Sequence, residues 1–139
     1  MTIAQAVSLP RGVTTLLRPA PVLREQQTCR EAIRLMFEHP RSKCLVICDE
    51  SDRPVGLLMS EPFFLRATGR SGADSFYRES ALEQAQTHLL TADIESDPSE
   101  ILARLLERHP AQQNDSIIIT RNGKLAGTVN PADLRALLG

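Results

Sequence analysis

Residues 44–59 and residues 115–130 read alike at a constant offset of 71, so the chain contains an internal repeat. Each segment runs from an apolar strand through a polar turn to a second apolar strand, and Gly56 falls on Gly127 without a gap. In the second copy Asn122-Gly123 predicts a type I′ hairpin turn, because both residues tolerate a positive φ. Such a repeat restricts the chain to folds built from two similar units.

A helix is predicted before each hairpin. Thr28, three residues before Glu31, indicates a capping box, and Asp97 followed by proline is typical of a helix start. Both helices are predicted to end at His-Pro dipeptides, at residues 39–40 and 109–110, because proline disfavours helical geometry in the residue before it. The two copies therefore share their helix signals as well as their hairpins.

A further helix is predicted after each hairpin, capped by Ser60 in the first copy and by Asn130 in the second. Extended segments at residues 21–24 and 91–96 supply an opening strand for each copy. The predicted order is β-α-β-β-α, written twice, which makes this an α+β chain.

The same patterns divide the chain into four parts. Residues 1–20 form an N-terminal arm, residues 21–65 the first repeat, and residues 91–139 the second. Residues 66–90 form a connector that contains a helix predicted from Ala81, with Ser80 as its cap.

The composition is that of an ordinary soluble globular protein, with 42% hydrophobic and 24% charged residues. The formal net charge of −1 and the scattered arginines argue against a nucleic-acid surface, and no apolar run approaches the ~20 residues of a membrane span. Three cysteines, Cys29, Cys44 and Cys48, are an odd number without metal-site spacing, so we expect buried free thiols in a reducing cytoplasm. The residues show no catalytic triad or carboxylate pair, which favours a protein that is not an enzyme.

The repeated pattern resembles a tandem pair of CBS domains, the cystathionine-β-synthase-type repeats also called a Bateman module. The resemblance covers roughly Pro21 to Leu138 and rests on the strand SIIIT, the turn RNGKLAG and residues 127–133, which are similar to the family's G-x-x-[TS]-x-x-D. It implies two repeats packed as a pseudo-twofold pair. Residues 56–78 also resemble the stretch between the repeats in CBS pairs attached to bacterial GGDEF and EAL signalling domains.

The resemblance implies a regulatory module that senses an adenosine-type ligand in the cleft between the repeats: AMP, ADP, ATP or S-adenosylmethionine, with no required cofactor and no metal. In the second copy Asp133 matches the family's ribose-binding carboxylate, and Asn130 stands in for its Thr/Ser. The resemblance places the base near Ile94 and near Ser116-Ile117, with Thr91 and Asp93 close by.

Each of these residues also has a structural interpretation. Asp133 in a first helical turn stabilises the helix dipole and can complete a cap with Asn130. Ile94 and Ile117 are typical core residues, and Thr91 and Asp93 are equally consistent with a solvent-facing strand edge.

In the first copy the offset of 71 places Met59 opposite Asn130 and Pro62 opposite Asp133. Because neither residue can bind a ribose, we expect at most one nucleotide per chain.

The alternative function is a CBS-type dimerisation or scaffold module without a ligand. Exposed helical faces predict a homodimer with contacts at residues 63–65 and 134–138. An attached or partner signalling enzyme is the expected recipient of the signal.

Overall fold

The computed structural model describes residues 12–69 and 73–139. The first part of the predicted arm, residues 1–11, and residues 70–72 of the connector lie outside the described residues. The strands are β1 Val22–Arg24, β2 Cys44–Cys48, β3 Pro54–Met59, β4 Thr91–Asp93, β5 Ile117–Arg121 and β6 Lys124–Val129. The α-helices are α1 Cys29–Glu38, α2 Ser60–Thr68, α3 Ala73–Arg78, α4 Pro98–Leu106 and α5 Pro131–Leu138.

The predicted β-α-β-β-α order is present in both repeats. In the first, β1 pairs in parallel with β2 and β2 antiparallel with β3; in the second, β4, β5 and β6 repeat the same pattern. The two members of each parallel pair are joined through a helix, as the geometry of a parallel pair requires. At the β5–β6 hairpin φ is 55° for Asn122 and 79° for Gly123, which confirms the predicted turn.

The predicted helix starts of α1 and α4 are confirmed. The Thr28 hydroxyl accepts from the Glu31 N–H at 3.4 Å, and the Glu31 carboxylate accepts from the Thr28 N–H at 3.1 Å. At α4 the Asp97 carboxylate accepts from the Ser99 N–H at 2.9 Å. Helix α1 also ends as predicted, with His39 as its C-terminal cap.

Other boundaries differ from the sequence prediction. Helix α4 ends at Leu106, short of the predicted stop, and His109 instead caps a 3-10 turn by accepting from the Ala111 N–H at 3.1 Å. Ser60 is the first residue of α2 and makes no cap bond. The helix predicted from Ala81 is a single 3-10 turn without a side-chain cap.

The strands β2 and β5 are buried on both faces. Side chains alternate along a strand, so Leu45 and Ile47 of β2 face the helices of their own repeat, while Cys44, Val46 and Cys48 face the other way. These three pack with Leu57 of β3 and with Ile118 of the second repeat. This shared cluster holds the two repeats together. Cys29, Cys44 and Cys48 are buried and form no disulfide, as predicted.

The segment that precedes each repeat, which we call its lead-in segment, packs on the core of the other repeat. The 3-10 turn Ala81–Gln84, which precedes the second repeat, packs on the core of the first. The 3-10 turn Thr14–Leu16, which precedes the first repeat, packs on the core of the second, where Val13 is fully buried. The Arg18 N–H donates to the Thr128 carbonyl at 2.8 Å, so the lead-in is bonded to β6.

Gly56 and Gly127, which align in the two copies, lie where the lead-in segments cross to the other repeat. A Cβ at Gly127 would lie 2.7 Å from the Arg18 carbonyl oxygen, and one at Gly56 would lie 2.9 Å from the Leu82 side chain. A side chain at Gly127 would collide with backbone, so glycine is needed there, whereas at Gly56 the Leu82 side chain would have to move.

Candidate functional site

A cavity of about 670 Å³ lies where the two repeats meet. The first repeat contributes the end of its lead-in, residues 18–21, and the connection from α1 to β2, residues 38–44. The second repeat contributes Ser116, Thr128 and Asn130. The volume falls within the range of pockets that hold small-molecule ligands.

Three buried polar side chains form part of the wall. Ser116 and Thr128 are each 6% exposed, and Cys44 is 2% exposed. Burial raises the pKa of the Cys44 thiol, and hydrogen bonds to Ser116 and Thr128 oppose that rise. The thiol is therefore protonated at neutral pH, and this wall is polar but uncharged, which suits an uncharged ligand group.

Asn130 joins the cavity to the start of α5. Its side-chain oxygen accepts from the Ala132 N–H at 3.0 Å, as in a helix cap. Among the described residues its amide nitrogen has no hydrogen-bond acceptor, so that group can donate to a ligand.

Asp133 lies beside the cavity and is held there by an ion pair. Its carboxylate is 2.8 Å from the Arg18 guanidinium, and Arg18 lines the cavity while Asp133 does not. The Asp133 side chain is 32% exposed and the Arg18 side chain 56% exposed. This is therefore a surface ion pair, and a ligand can replace either partner at low cost in free energy.

The remaining residues of the sequence hypothesis do not line this cavity. Ile94 and Ile117 are buried in the core of the second repeat. Thr91 pairs with β5, and Asp93 is exposed and accepts from the Glu95 N–H at 3.0 Å. The structure thus brings Asn130 and Ser116 into one cavity and sets Asp133 at its edge, while the other four do not line this cavity.

Sequence reasoning missed the part of the wall that comes from the first repeat, residues 18–21 and 38–44. The exchange of lead-in segments sets these residues against the end of the second repeat, and no spacing along the chain reveals that exchange. A local signal existed in Arg41 and Lys43, two basic residues close to a helix end.

At the pseudo-symmetric position, protein groups bond to one another. Met59, the counterpart of Asn130, accepts from the Ser116 N–H through its sulfur at 3.5 Å. The Gln86 amide donates to the Asp115 carboxylate at 2.8 Å. The first bond links the two repeats and the second links the connector to the second repeat, where the first-copy equivalent of the cavity would begin.

The Arg108 side chain forms hydrogen bonds across the connection from α4 to β5. Its guanidinium donates to the carbonyls of Gln112 and Asp115 at 3.0 and 2.8 Å. Burial lowers the pKa of this arginine. The corresponding connection in the first repeat lines the open cavity, so the two halves of the molecule differ at the place where a ligand would bind.

No helix among the described residues is long and apolar enough to cross a membrane. No group of three or more His, Cys, Asp or Glu side chains among them is arranged to hold a metal ion.

Residues 13–61 match the family model of the CBS domain. No curated protein matches the chain. Solved structures with the same fold include Staphylococcus aureus OpuCA, at 16% identity and a TM-score of 0.65 over 88% of this chain and 95% of that one. The CBS domains of a transcriptional regulator from Streptococcus pneumoniae match at 18% identity and a TM-score of 0.66, over 90% of this chain and 97% of that one.

A third solved structure is the cytosolic domain of the Mg²⁺ channel MgtE in complex with ATP. It matches at 19% identity and a TM-score of 0.70, over 91% of this chain and 48% of that one. The chain described above therefore carries a CBS domain at residues 13–61 and has, as a whole, the fold of a tandem pair of CBS domains.

Proposed function

We propose that the chain is a non-catalytic regulatory module that binds one adenosine-type nucleotide in the cavity between its repeats. The observation that carries the proposal is the cavity itself, which combines an uncharged polar wall, the Asn130 amide and an adjacent carboxylate. The fold is shared with the MgtE domain that was solved with ATP, which supports a nucleotide in particular.

Each part of the wall suits one part of such a ligand. The Asp133 carboxylate can accept hydrogen bonds from both ribose hydroxyls once Arg18 releases it, and the Asn130 amide can donate to the same sugar. The base then faces Cys44, Ser116 and Thr128, whose neutral thiol and hydroxyls can meet ring nitrogens.

The asymmetry of the pair supports a single site. Met59 and Pro62 stand where Asn130 and Asp133 stand in the second copy, and proline offers neither a side-chain acceptor nor a backbone N–H. A ribose at that position would be left with two unpaired hydroxyls, at about 1 to 3 kcal/mol each.

Occupancy can be transmitted because the cavity spans both repeats. A ligand that contacts residues 18–21 and Asn130 together stabilises their relative position, and an attached or partner signalling protein is the proposed recipient of that change.

A dimerisation or scaffold module is the second candidate, and exposed apolar side chains favour it. Phe37 of α1 is 68% exposed and meets Phe64 of α2 edge-on, with ring centroids 5.8 Å apart. In the second repeat Leu106, Leu137 and Leu138 are exposed in the same way. Paired apolar faces of this kind are typical of surfaces that meet a second copy.

A thermal-shift series separates the two functions. The ligands are adenosine, AMP, ADP, ATP, S-adenosylmethionine and NAD, with GTP as a control for nucleotide charge. A ligand at a hundred times its dissociation constant adds about 2.7 kcal/mol, which is several degrees for a domain of this size. A shift with adenosine compounds and none with GTP supports sensing, whereas no shift with any compound favours the scaffold.

A further inference from the structure

The hydrogen bonds that hold the lead-in segment of the first repeat to the second repeat are all made by Arg18. Its N–H donates to the Thr128 carbonyl at 2.8 Å, and its carbonyl accepts from the Thr128 N–H at 2.9 Å. Its guanidinium pairs with Asp133 at 2.8 Å. Among the described residues, positions 12–17 make no hydrogen bond to the second repeat, so they dock there by apolar contact.

This apolar contact is made by Val13, Leu16 and Leu17. Val13 has no exposed surface, and the two leucines pack partly buried against the same core of the second repeat. A Cβ on Gly12 would collide with a backbone carbonyl of the second repeat, so the segment lies directly against that repeat from its start. Residues 12–18 therefore form a strap on the second repeat, and the last residue of this strap lines the cavity.

The lead-in segment of the second repeat is built in the same way and provides an internal comparison. Gln86 and Leu57 exchange two main-chain hydrogen bonds of 2.9 Å, and Leu57 lies at the repeat offset from the strap's partner strand residue. Ala81 is fully buried in the core of the first repeat, five positions before Gln86. Val13 is likewise fully buried five positions before Arg18.

The two main-chain bridges differ in what lies beside them. Arg18 and Thr128 both line the cavity, whereas neither Gln86 nor Leu57 does. The Gln86 side chain is instead bonded to Asp115 at 2.8 Å. A nucleotide in the cavity contacts both sides of the first bridge and loses one wall of its site when the strap leaves. A molecule that binds only the docked form must stabilise docking, by linkage.

We propose that the strap is the element that responds to nucleotide: binding in the cavity holds it docked, and loss of the nucleotide lets it detach while the rest of the pair stays folded. The inference rests on the proposed function, since it names the element through which occupancy of that site is read. Transfer of the Asp133 carboxylate from Arg18 to a ribose leaves the main-chain bridge intact. Detachment at Gly12 gives an attached or partner protein a local change to read.

The test is amide hydrogen exchange on the wild-type chain without nucleotide, with saturating adenosine and with saturating ATP. The N–H groups of Arg18 and Thr128 report the strap, and those of Gln86 and Leu57 are the internal control. The N–H of Ile118, which is fully buried on β5, reports unfolding of the whole chain. Calorimetry on the same samples measures whether each compound binds.

At a hundred times the dissociation constant of adenosine or ATP, exchange at Arg18 and Thr128 should slow about ten- to a hundredfold, because the detached form does not bind. Exchange at Gln86 and Leu57 should change by less than about twofold, since that bridge opens locally and away from the cavity.

A matched pair of variants places the same charge in both lead-in segments. Val13→Asp should detach the strap and weaken binding of adenosine and ATP about tenfold or more, because only the docked fraction binds. Ala81→Asp should change both affinities by less than about threefold. Thermal melts check that the variants are folded, and where one is not, the exchange rates of the wild-type chain decide.

Unchanged exchange at Arg18 and Thr128, with adenosine or ATP bound by calorimetry, would overturn this inference and leave the proposed function standing. Equal slowing at both bridges and at Ile118 would also overturn it, because the whole chain would then be stabilised rather than the strap. A folded Val13→Asp variant with wild-type affinity would do the same. Binding of neither compound to the wild-type chain would overturn the proposed function, and the coupling with it.

Discussion

Arg18 and Asp133 are 115 positions apart in the chain, and their side chains meet at 2.8 Å at the edge of the cavity. Arg18 belongs to the lead-in of the first repeat and Asp133 to the last helix of the second. The proposed ribose site therefore includes a contact between the two repeats, which a bound nucleotide would have to open.

Asp133→Ala should weaken adenosine binding by about ten- to a hundredfold, because charge-assisted hydrogen bonds to the ribose are worth roughly 1.5 to 3 kcal/mol. The fold should survive, since an exposed ion pair contributes at most about 1 kcal/mol. Calorimetry with adenosine measures the effect without any contribution from phosphates.

Arg18→Ala is the matched control for that experiment. It removes the same ion pair but frees the carboxylate, so adenosine should bind as well as to the wild type or better. If both variants lose adenosine equally, the ion pair rather than the carboxylate supports the site, and the ribose role of Asp133 is wrong.

Gly127→Ala should destabilise the chain by about 2 to 3 kcal/mol, since the new Cβ would collide with the Arg18 carbonyl and the Leu17 side chain. Nucleotide affinity should fall as well, because the displaced lead-in segment carries Arg18 to the cavity wall. Chemical denaturation and calorimetry measure the two effects.

Gly123→Ala separates crowding from backbone strain. Gly123 has φ 79° and nothing within 4 Å of a Cβ, so its substitution should cost about 1 kcal/mol and leave nucleotide affinity unchanged. Equal loss of affinity in both variants would mean that the crossing at Gly127 does not position the site.

The local elements could be predicted from the sequence because their signals are local. The capping box of Thr28 and Glu31 and the Asn122-Gly123 turn each involve residues at most three positions apart, and the structure has both of them. The end of α4 could not be predicted this way, because the side-chain bonds of Arg108 shape the chain after that helix.

The candidate site was harder to predict than the fold. The sequence hypothesis placed the ligand in the cleft between the repeats, with the base near Ile94 and near Ser116-Ile117, and it named residues of the second repeat only. The lead-in segments cross to the opposite repeat, so the wall facing Asn130 comes from residues 18–21 and 38–44. Such a crossing depends on tertiary packing, and the structure is needed to show that the matched glycines lie at the crossings.

The chain is predicted to be a homodimer through its exposed apolar helix faces. Light scattering at high micromolar concentration should give twice the chain mass of 15.4 kDa. Phe64→Asp, which places a charge beside Phe37, should reduce that mass toward the monomer, whereas Phe64→Leu should not. A wild-type mass of 15.4 kDa under these conditions would rule out the dimer.

The capping box of α1 should make part of the stability pH-dependent. Hydrogen bonds from the Gln27 side chain and the Thr28 N–H lower the pKa of Glu31 in the folded chain. The folded state therefore binds this proton less readily than the unfolded state. The stabilisation is present above the unfolded pKa of about 4.3 and is lost as the pH falls through the lower folded pKa.

In urea unfolding, Glu31→Ala should accordingly cost about 0.5 to 1 kcal/mol at pH 7 and much less at an acidic pH below the folded pKa of Glu31. Glu50→Gln, at an exposed carboxylate in the β2–β3 turn, should change the free energy of unfolding by less than about 0.5 kcal/mol at either pH. A cost for Glu31→Ala that is equal at both pH values would contradict the role of its charge.

The stoichiometry of ATP binding tests the central claim most directly. Calorimetric titration of the wild-type chain should saturate at one equivalent of ATP per chain, because Asn130 and Asp133 have Met59 and Pro62 as their first-copy counterparts. Saturation at two equal equivalents would contradict the asymmetry of the pair. The absence of any heat or competition with ATP, ADP and AMP would contradict nucleotide binding in the cavity itself.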